Sequence, residues 1–159
     1  IQYVEGTPEQ IDRYCTLLHA QLGLERPMCP AIGQPVTGEL REQIEAVSML
    51  EPDYRVWGKF DGSGIVIRSE EPVDFYCDLK TVNVVPVKSL AEAVRFANVA
   101  TQTVGVYPPA RKAEVRNALA SAGVQRVVSL GKAIGPGPGL PHDGFYPLHR
   151  FVRWVNDED

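Results

Sequence analysis

From residue 81 to residue 130 the chain alternates between short apolar runs and amphipathic stretches, and this alternation constrains the fold more than any other feature of the sequence. The runs TVNVVPV, TVGVY and QRVVSL are rich in β-branched residues, which is typical of buried strands. The first intervening stretch opens with the capping box Ser89-x-x-Glu92, and the second ends at Gly123, the usual glycine beyond a helix. Strands and helices that alternate in this way form parallel sheets through right-handed crossovers. The pattern predicts an α/β fold with a mostly parallel sheet flanked by helices.

The first half of the chain adds a strand, two helices and a hairpin to this prediction. IQYVEG is typical of a strand, and Thr7-Pro8-Glu9-Gln10 has the cap, the early proline and the glutamine of a helix start. A second helix is predicted over about residues 37–50. YRVWGKFDGSGIVIRS contains two alternating runs joined at Asp61-Gly62, which predicts a β-hairpin. The apolar stripe of the first helix follows i, i+3, i+4, i+7 spacing and consists of Ile11, Tyr14, Cys15, Leu18 and Leu22.

Glycine and proline alternate from Gly135 to Gly139, in the stretch GKAIGPGPGLPHDGF, which raises the question of a phosphate-binding loop. A Walker loop has its lysine directly after the second glycine, whereas Lys132 precedes this run. A dinucleotide fingerprint aims backbone N–H groups at the pyrophosphate, and proline has no N–H to donate. The run therefore predicts a stiffened surface loop instead of a phosphate site.

The sequence contains no recognisable motif for a catalytic nucleophile with its base, and none for a metal site. Cys15, Cys29 and Cys77 are odd in number and lack C-x-x-C spacing, which predicts reduced thiols in a cytoplasmic protein. The three histidines lack the short ligand spacings of a zinc site, so we predict no metal. The dipeptide His142-Asp143 could carry acid–base chemistry, although such a pair in a loop is more often structural.

Length and charge narrow the class of protein further. A chain of 159 residues is expected to form one domain. The formal net charge of −4 argues against nucleic-acid binding, which calls for clustered Lys and Arg. The apolar runs are too short to span a bilayer and no signal peptide opens the chain, so we expect a cytoplasmic protein without a membrane span.

The stretch TVNVVPVKSLAEAVRFANVATQTVGVY resembles part of the aldehyde dehydrogenase superfamily. In that superfamily a strand is followed by S-L-x-E-A-[IV]-x-x-A-N and then by a strand that carries a glycine. Here the motif runs from Ser89 to Asn98, and the glycine is Gly105. A closer similarity is to the Lux-type (LuxC-like) long-chain acyl-CoA reductases, which supply fatty aldehyde in bacterial bioluminescence. It rests on KTVNVVPV, on ATQTVGVYPPARKAEVRNALASAGVQRVVSLG and above all on PHDGFYPLHRFVRWV.

This resemblance implies a reaction and its partners. A cysteine would take the acyl group from a long-chain acyl-CoA or another acyl thioester, and NADPH would reduce the acyl-enzyme to an aldehyde. The chemistry calls for a thiolate-competent cysteine, donors for the oxyanion and a dry acyl tunnel. The resemblance also implies a homo-oligomer and an acyl-transferring protein partner.

The chain matches only the C-terminal part of such a catalytic domain. In the superfamily the nucleophile lies a few residues before the strand that IQYVEG resembles, so we expect it upstream of Ile1. The E-x-F-G-P motif, whose glutamate grips the nicotinamide ribose, aligns with FYCDL at residues 75–79, which has no glutamate. We therefore assign no catalytic or cofactor-binding residue and expect the chain alone to be inactive. By resemblance, the lining of the acyl pocket would include His142, Asp143, Gly144 and Phe145.

Two other functions stay open. The chain could be a non-catalytic module that keeps the fold for oligomerisation or for docking an acyl-transferring partner, using EEPVDFYCDL and FVRWV as strand-like surfaces. It could also belong to an ordinary NAD(P)-dependent aldehyde dehydrogenase. The missing E-x-F-G-P glutamate and the ending PHDGFYPLHRFVRW argue against that last reading.

Overall fold

A computed structural model describes residues 1–135, 137 and 139–158 of the chain. The two prolines of the glycine–proline run, Pro136 and Pro138, lie outside the described residues, so the prediction of a stiffened loop there stays a prediction. The chain packs into two compact units, Ile1–Leu90 and Ala91–Asp159. Among the described residues, every helix is too short or too polar to cross a lipid bilayer.

The first unit is built on a four-stranded sheet with the strand order β1–β4–β3–β2. Its strands are β1 (Gln2–Glu5), β2 (Tyr54–Lys59), β3 (Gly64–Ser69) and β4 (Thr81–Val87). Strand β4 pairs in parallel with both β1 and β3, and β2 pairs antiparallel with β3 to close the hairpin. The prediction of an α/β fold with a mostly parallel sheet and one β-hairpin is confirmed.

Helices cover both faces of this sheet, which is why its central strands carry almost continuous apolar runs. Successive side chains of a strand point to opposite faces, so Ile65 and Ile67 of β3 enter one core cluster while Val66 enters the other. Helix α1 (Pro8–Leu22) supplies Ile11 and Cys15 to the Val66 cluster. Helix α2 (Gly38–Ser48) supplies Ile44 to the Ile65 cluster.

The start of α1 is as the sequence predicts. Thr7 accepts a hydrogen bond from the backbone N–H of Gln10, and the Gln10 side chain accepts one from the backbone N–H of Thr7, so both halves of the capping box form. These bonds satisfy donors that the first helical turn leaves unpaired. Helix α2 begins after Thr37, as predicted, and ends at Ser48, about two residues before the predicted end.

The second unit contains a two-stranded parallel sheet of β5 (Thr103–Val106) and β6 (Arg126–Ser129), connected by α4 (Lys112–Ser121). Gly123 follows α4 with φ +102°, the left-handed conformation expected of a glycine beyond a helix end. The predicted helix after Ser89 is much shorter than expected: α3 spans Leu90–Ala93 and gives way to a 3₁₀ turn over Val94–Phe96.

Two segments that the sequence suggested as strand-like surfaces form no strand. Residues 70–79 are irregular. Pro147–Phe151 is a 3₁₀ turn, and residues 152–158 have no regular secondary structure. The suggestion failed because β-propensity produces a strand only where a neighbouring strand supplies hydrogen bonds.

Candidate functional site

The four residues predicted to line the acyl pocket form a tight turn in the second unit. The His142 N–H donates to the Phe145 carbonyl at 2.9 Å, and the Phe145 N–H donates back to the His142 carbonyl at 3.2 Å. Asp143 and Gly144 both have positive φ angles, +48° and +80°. Two central residues in this conformation define a type I′ turn, which explains the Asp-Gly pair.

The side chains of the turn bring an imidazole and a carboxylate together. His142 Nδ1 lies 3.0 Å from Asp143 Oδ2, and the other carboxylate oxygen of Asp143 accepts a hydrogen bond from Gln102. The guanidinium of Arg150 lies over the Phe145 ring, 4.4 Å from its centroid. All four turn residues are exposed, so the turn forms a surface feature of this unit. Whether it lines an acyl pocket stays a prediction.

The cysteines of the chain lack the features of a nucleophile. Cys15 has no exposed surface, and its burial, together with the nearby Asp12 carboxylate, raises its pKa to about 11. Burial also raises the pKa of Cys77, which packs beside the Ile65 cluster. Cys29 is half-buried, and its sulfur lies 4.0 Å from the carbonyl oxygen of Pro30. All three thiols are free.

A cluster of paired charges joins α1 to the hairpin. Asp12 accepts a hydrogen bond from Arg55 of β2 and another from Arg68 of β3, the latter at 3.0 Å. Arg68 also contacts Glu70 at 3.3 Å. Sequence reasoning missed this cluster because its members lie 43 and 56 positions apart. Only the pairing of β2 and β3, with α1 packed across them, brings the three charges together.

A shallow groove adjoins this cluster, and acidic groups dominate its lining. Besides Arg55 and Arg68, it is lined by Glu51, Asp53 and Glu70, with Pro52. Both arginines already face carboxylates, so the groove offers no unmatched cation for a phosphate. Sequence reasoning gave no sign of it, because its walls come from the turn before β2, from β2 itself and from the end of β3.

A second groove, here called the acidic groove, lies between α2 and the loop before β4. Its apolar side chains are Leu40, Phe75 and Leu79, and its carboxylates are Glu39, Asp74 and Asp78; Gln43 and Tyr76 complete the lining. No Lys or Arg lines it. It includes most of the stretch that aligns with E-x-F-G-P, residues 75–79, whose one carboxylate is Asp78.

The described residues contain no group of three or more His, Cys, Asp or Glu side chains arranged to hold a metal ion.

Comparison with known proteins identifies the family of the chain. Residues 9–154 match the family model described as acyl-CoA reductase (LuxC). The chain belongs to this family. The resemblance seen in the sequence is therefore confirmed, and the match spans residues of both compact units.

Two curated proteins are similar to this LuxC-family chain. A long-chain acyl-protein thioester reductase of Vibrio harveyi is 25% identical over 159 residues, which cover 99% of the chain and 33% of that protein. A long-chain acyl-protein thioester reductase of Aliivibrio fischeri is 36% identical over 80 residues, which cover 50% of the chain and 17% of that protein. The chain thus spans about a third of the length of the Vibrio harveyi relative.

Proposed function

We propose that this LuxC-family chain forms the C-terminal part of the catalytic domain of an acyl thioester reductase. The parent protein would convert a long-chain fatty acyl thioester, an acyl-CoA or an acyl-protein, to a fatty aldehyde in the cytoplasm. The observation that carries this proposal is the family match over residues 9–154. The relatives named long-chain acyl-protein thioester reductase support it. Both compact units would belong to that one domain.

The acyl-enzyme cysteine of the proposed reaction is none of the three in the chain. A nucleophilic thiol needs exposure and a lowered pKa, and these are supplied by a nearby cation or a helix N-terminus. Cys15 has the opposite properties, since it is fully buried and its pKa is raised to about 11. We propose that the nucleophile lies outside residues 1–159, and that the chain by itself catalyses no reduction.

NADPH is the reductant that the family resemblance implies, and it would supply the hydride that reduces the acyl-enzyme. The two grooves of the first unit do not fit its phosphates, because together they carry six carboxylates and only two arginines. Arg55 and Arg68, the basic residues of these grooves, are paired with Asp12. We therefore assign no cofactor contact to these residues.

The exposed turn at residues 142–145 would form part of the acyl-chain entrance. Phe145 is 40% exposed, and its ring gives an apolar surface of the kind that a hydrocarbon chain contacts. The hydrogen bonds across the turn and the Asp143–Gln102 contact fix the backbone that carries this ring. His142 and Asp143 would position the turn and take no direct part in the reaction.

The activity is tested by comparing two polypeptides, residues 1–159 and the product of the whole reading frame that contains them. Each is incubated with long-chain acyl-CoA and NADPH, and aldehyde is measured. We expect aldehyde from the longer product alone. Aldehyde formed by residues 1–159 would contradict the placement of the nucleophile. Oxidation of free aldehyde with NADP⁺, without any reduction of acyl-CoA, would instead indicate an ordinary aldehyde dehydrogenase.

The role of the turn is tested in the longer product by Phe145→Ala. Loss of the ring should raise KM for a fourteen-carbon acyl-CoA by about tenfold while leaving KM for a four-carbon acyl-CoA within about twofold. Phe151→Ala, at an exposed ring of the same unit, is the matched control. Equal effects on both chain lengths would contradict contact with the acyl chain.

A further inference from the structure

The amino ends of β5 and β6 lie side by side at one end of the two-stranded sheet. Thr103 is the register partner of Arg126, and the N–H groups of Gln125 and Arg126 donate to the Gln102 carbonyl at 3.2 and 3.0 Å. These backbone contacts fix four polar residues relative to one another. We call Gln102, Thr103, Gln125 and Arg126 the amino-end cluster.

Arg126 reaches from this cluster to the chain that follows β6. Its Nη1 donates to Thr103 Oγ1 at 3.3 Å and to the Ala133 carbonyl at 3.1 Å, and its Nη2 donates to the Gly135 carbonyl at 3.3 Å. All three acceptors are neutral oxygens, so the guanidinium acts here as a planar set of donors. Hydrogen bonds from a charged donor are stronger than those between neutral groups. Arg126 therefore fastens residues 133–135 to the start of β6.

The same cluster contacts the turn at residues 142–145. The Gln102 side-chain amide donates a hydrogen bond to the Asp143 carboxylate. A Cβ added to Gly144 would lie 3.8 Å from both Cγ and Cδ of Gln125, so the Gln125 side chain lies beside the backbone of the turn. The turn is therefore attached to the same cluster as residues 133–135.

Gln102 and Arg126 hold the chain at two separate points from one base. Arg126 holds it at residues 133–135, and Gln102 holds it at Asp143. The backbone hydrogen bond from the Arg126 N–H to the Gln102 carbonyl joins the two residues that make these attachments. A turn attached at two points has fewer accessible positions than a turn attached at one. The position of the Phe145 ring therefore depends on both side chains.

We propose that Gln102 and Arg126 are positioning residues for the acyl-chain entrance, and that they set the preference for long acyl chains by holding the Phe145 ring in place. This role rests on the function proposed above for the turn. Neither residue would touch the thioester or the reductant. Their loss should therefore weaken the binding of long chains more than it slows the reduction itself.

The planar shape of the guanidinium matters here more than its charge. Two different nitrogens of Arg126 bind the three acceptors, which belong to Thr103, Ala133 and Gly135. A lysine carries the same charge on a single nitrogen and lacks this fork of donors. Arg126→Lys should therefore behave much like Arg126→Gln, although it keeps the charge.

The attachment itself is tested by limited chymotrypsin digestion of residues 1–159. Cleavage of the Phe145–Tyr146 bond requires the turn to open, and its rate follows the population of the open form. Arg126→Gln, Arg126→Lys and Gln102→Ala should each raise this rate by about tenfold. Cleavage of the Trp154–Val155 bond in the same molecules is the internal reference and should keep its rate. Arg116→Gln, at an exposed arginine of α4, is the matched control and should change neither rate.

The consequence for chain length is tested in the longer product described above. Arg126→Gln should raise KM for a fourteen-carbon acyl-CoA by about fivefold, while kcat and KM for a four-carbon acyl-CoA stay within about twofold. In the Phe145→Ala background the same change should alter the fourteen-carbon KM by less than about twofold, because its effect acts through the ring. A residue that only stabilised the unit would act additively with Phe145→Ala.

Unchanged cleavage at Phe145–Tyr146 would overturn the proposed attachment, and so would faster cleavage at both bonds, which indicates general destabilisation. A chain-length effect of Phe145→Ala without one of Arg126→Gln, or additive effects of the two, would overturn the positioning role and leave the function of the turn intact. If Phe145→Ala itself has no chain-length effect, the entrance function of the turn fails and the positioning role fails with it.

Discussion

The side-chain amide of Asn83 in β4 donates a hydrogen bond to Ser69 Oγ at the end of β3, at 2.8 Å, and neither residue is appreciably exposed. Asn83 also donates to the Ile67 carbonyl at 3.1 Å and accepts from the Val73 N–H at 3.1 Å. A polar side chain is tolerated in this apolar core because its donors and acceptor are paired.

Replacing Asn83 by Ala should therefore destabilise the fold. The change leaves Val73 N–H and Ser69 without their buried partner, and the expected loss is about 2–4 kcal/mol in the free energy of unfolding. Urea unfolding followed by circular dichroism measures it. Asn117→Ala on the exposed face of α4 is the control and should change stability by less than about 0.5 kcal/mol. Similar losses for the two variants would contradict the role of the buried network.

Asp12 is the common partner of Arg55 and Arg68, and its neutralisation should cost more than that of an ordinary surface carboxylate. The Arg68 side chain is 15% exposed and that of Asp12 is 27% exposed, so water screens this pair only in part. Asp12→Asn should lower the free energy of unfolding by about 1–3 kcal/mol. Glu45→Gln, which breaks the exposed Arg41–Glu45 pair, should lower it by about 0.5 kcal/mol or less. Urea midpoints that shift equally would refute this ranking.

Cys15 should make stability depend on pH in the alkaline range. Burial first, and then the Asp12 carboxylate, raise its pKa from the ordinary value of 9.0 to about 11. At a pH between these two values, the Cys15 thiol has lost its proton in the unfolded chain but keeps it in the folded chain. The contribution of Cys15 to the free energy of unfolding is therefore fully present below about pH 9. It declines by about 2–3 kcal/mol in total as the pH rises to about 11.

The measurement for Cys15 is urea unfolding of the wild type and of Cys15→Ala at pH 8, 10 and 11 in the presence of a reductant. Burial is the main cause of the raised pKa values of Tyr3 and Tyr14, and it acts in both proteins; only the smaller effect of Cys15 on the pKa of Tyr14 is lost in the variant. The stability difference between the two proteins should shrink as the pH rises. A constant difference would show that Cys15 ionises as it does in the unfolded chain.

The same burial predicts the order in which the thiols react. Cys15 should react with an aromatic disulfide reagent at least about a hundred times more slowly than Cys29, because it has no exposed surface and little thiolate at neutral pH. Mass spectrometry of peptides after timed labelling distinguishes the three sites. Labelling in urea should make all three equivalent. Rapid labelling of Cys15 in the folded chain would contradict its burial and would make it a candidate for the nucleophile.

Gly123 should resist replacement for two separate reasons. Its φ is +102°, and an added Cβ would lie 2.8 Å from Val99 Cγ1 and 2.9 Å from Val99 Cα. Gly131 also has a positive φ, +82°, but an added Cβ there would meet nothing within 4 Å. Gly123→Ala should therefore cost about 2–4 kcal/mol and Gly131→Ala about 1 kcal/mol, as measured by thermal or urea unfolding. Equal losses would leave only the backbone conformation as the cause.

Much of the fold could be predicted because its signals are local. The capping box of α1 lies within four consecutive residues, and the hairpin turn at Asp61-Gly62 is marked by a dipeptide. The helix after Ser89 is the instructive failure. Its capping box is present in the sequence, yet α3 ends at Ala93. The Ala100 N–H donates a hydrogen bond to Asn98 Oδ1, and the Asn98 N–H donates one to Thr101 Oγ1, and these bonds favour a turn over further helix.

The sequence by itself determined the alternation of strands and helices, the caps and the family, because periodicity and motif spacing depend on residues close together in the chain. Only the tertiary structure decided the chemical state of particular side chains. Both the sequence pattern and the structure place Cys15 on the apolar stripe of α1, but its raised pKa depends on packing against β3 and β4. The pairing of Asp12 with Arg55 and Arg68, and the apolar area beside the carboxylates of the acidic groove, likewise come from residues that are far apart in sequence. Burial and charge pairing are properties of the folded neighbourhood, and no local pattern encodes them.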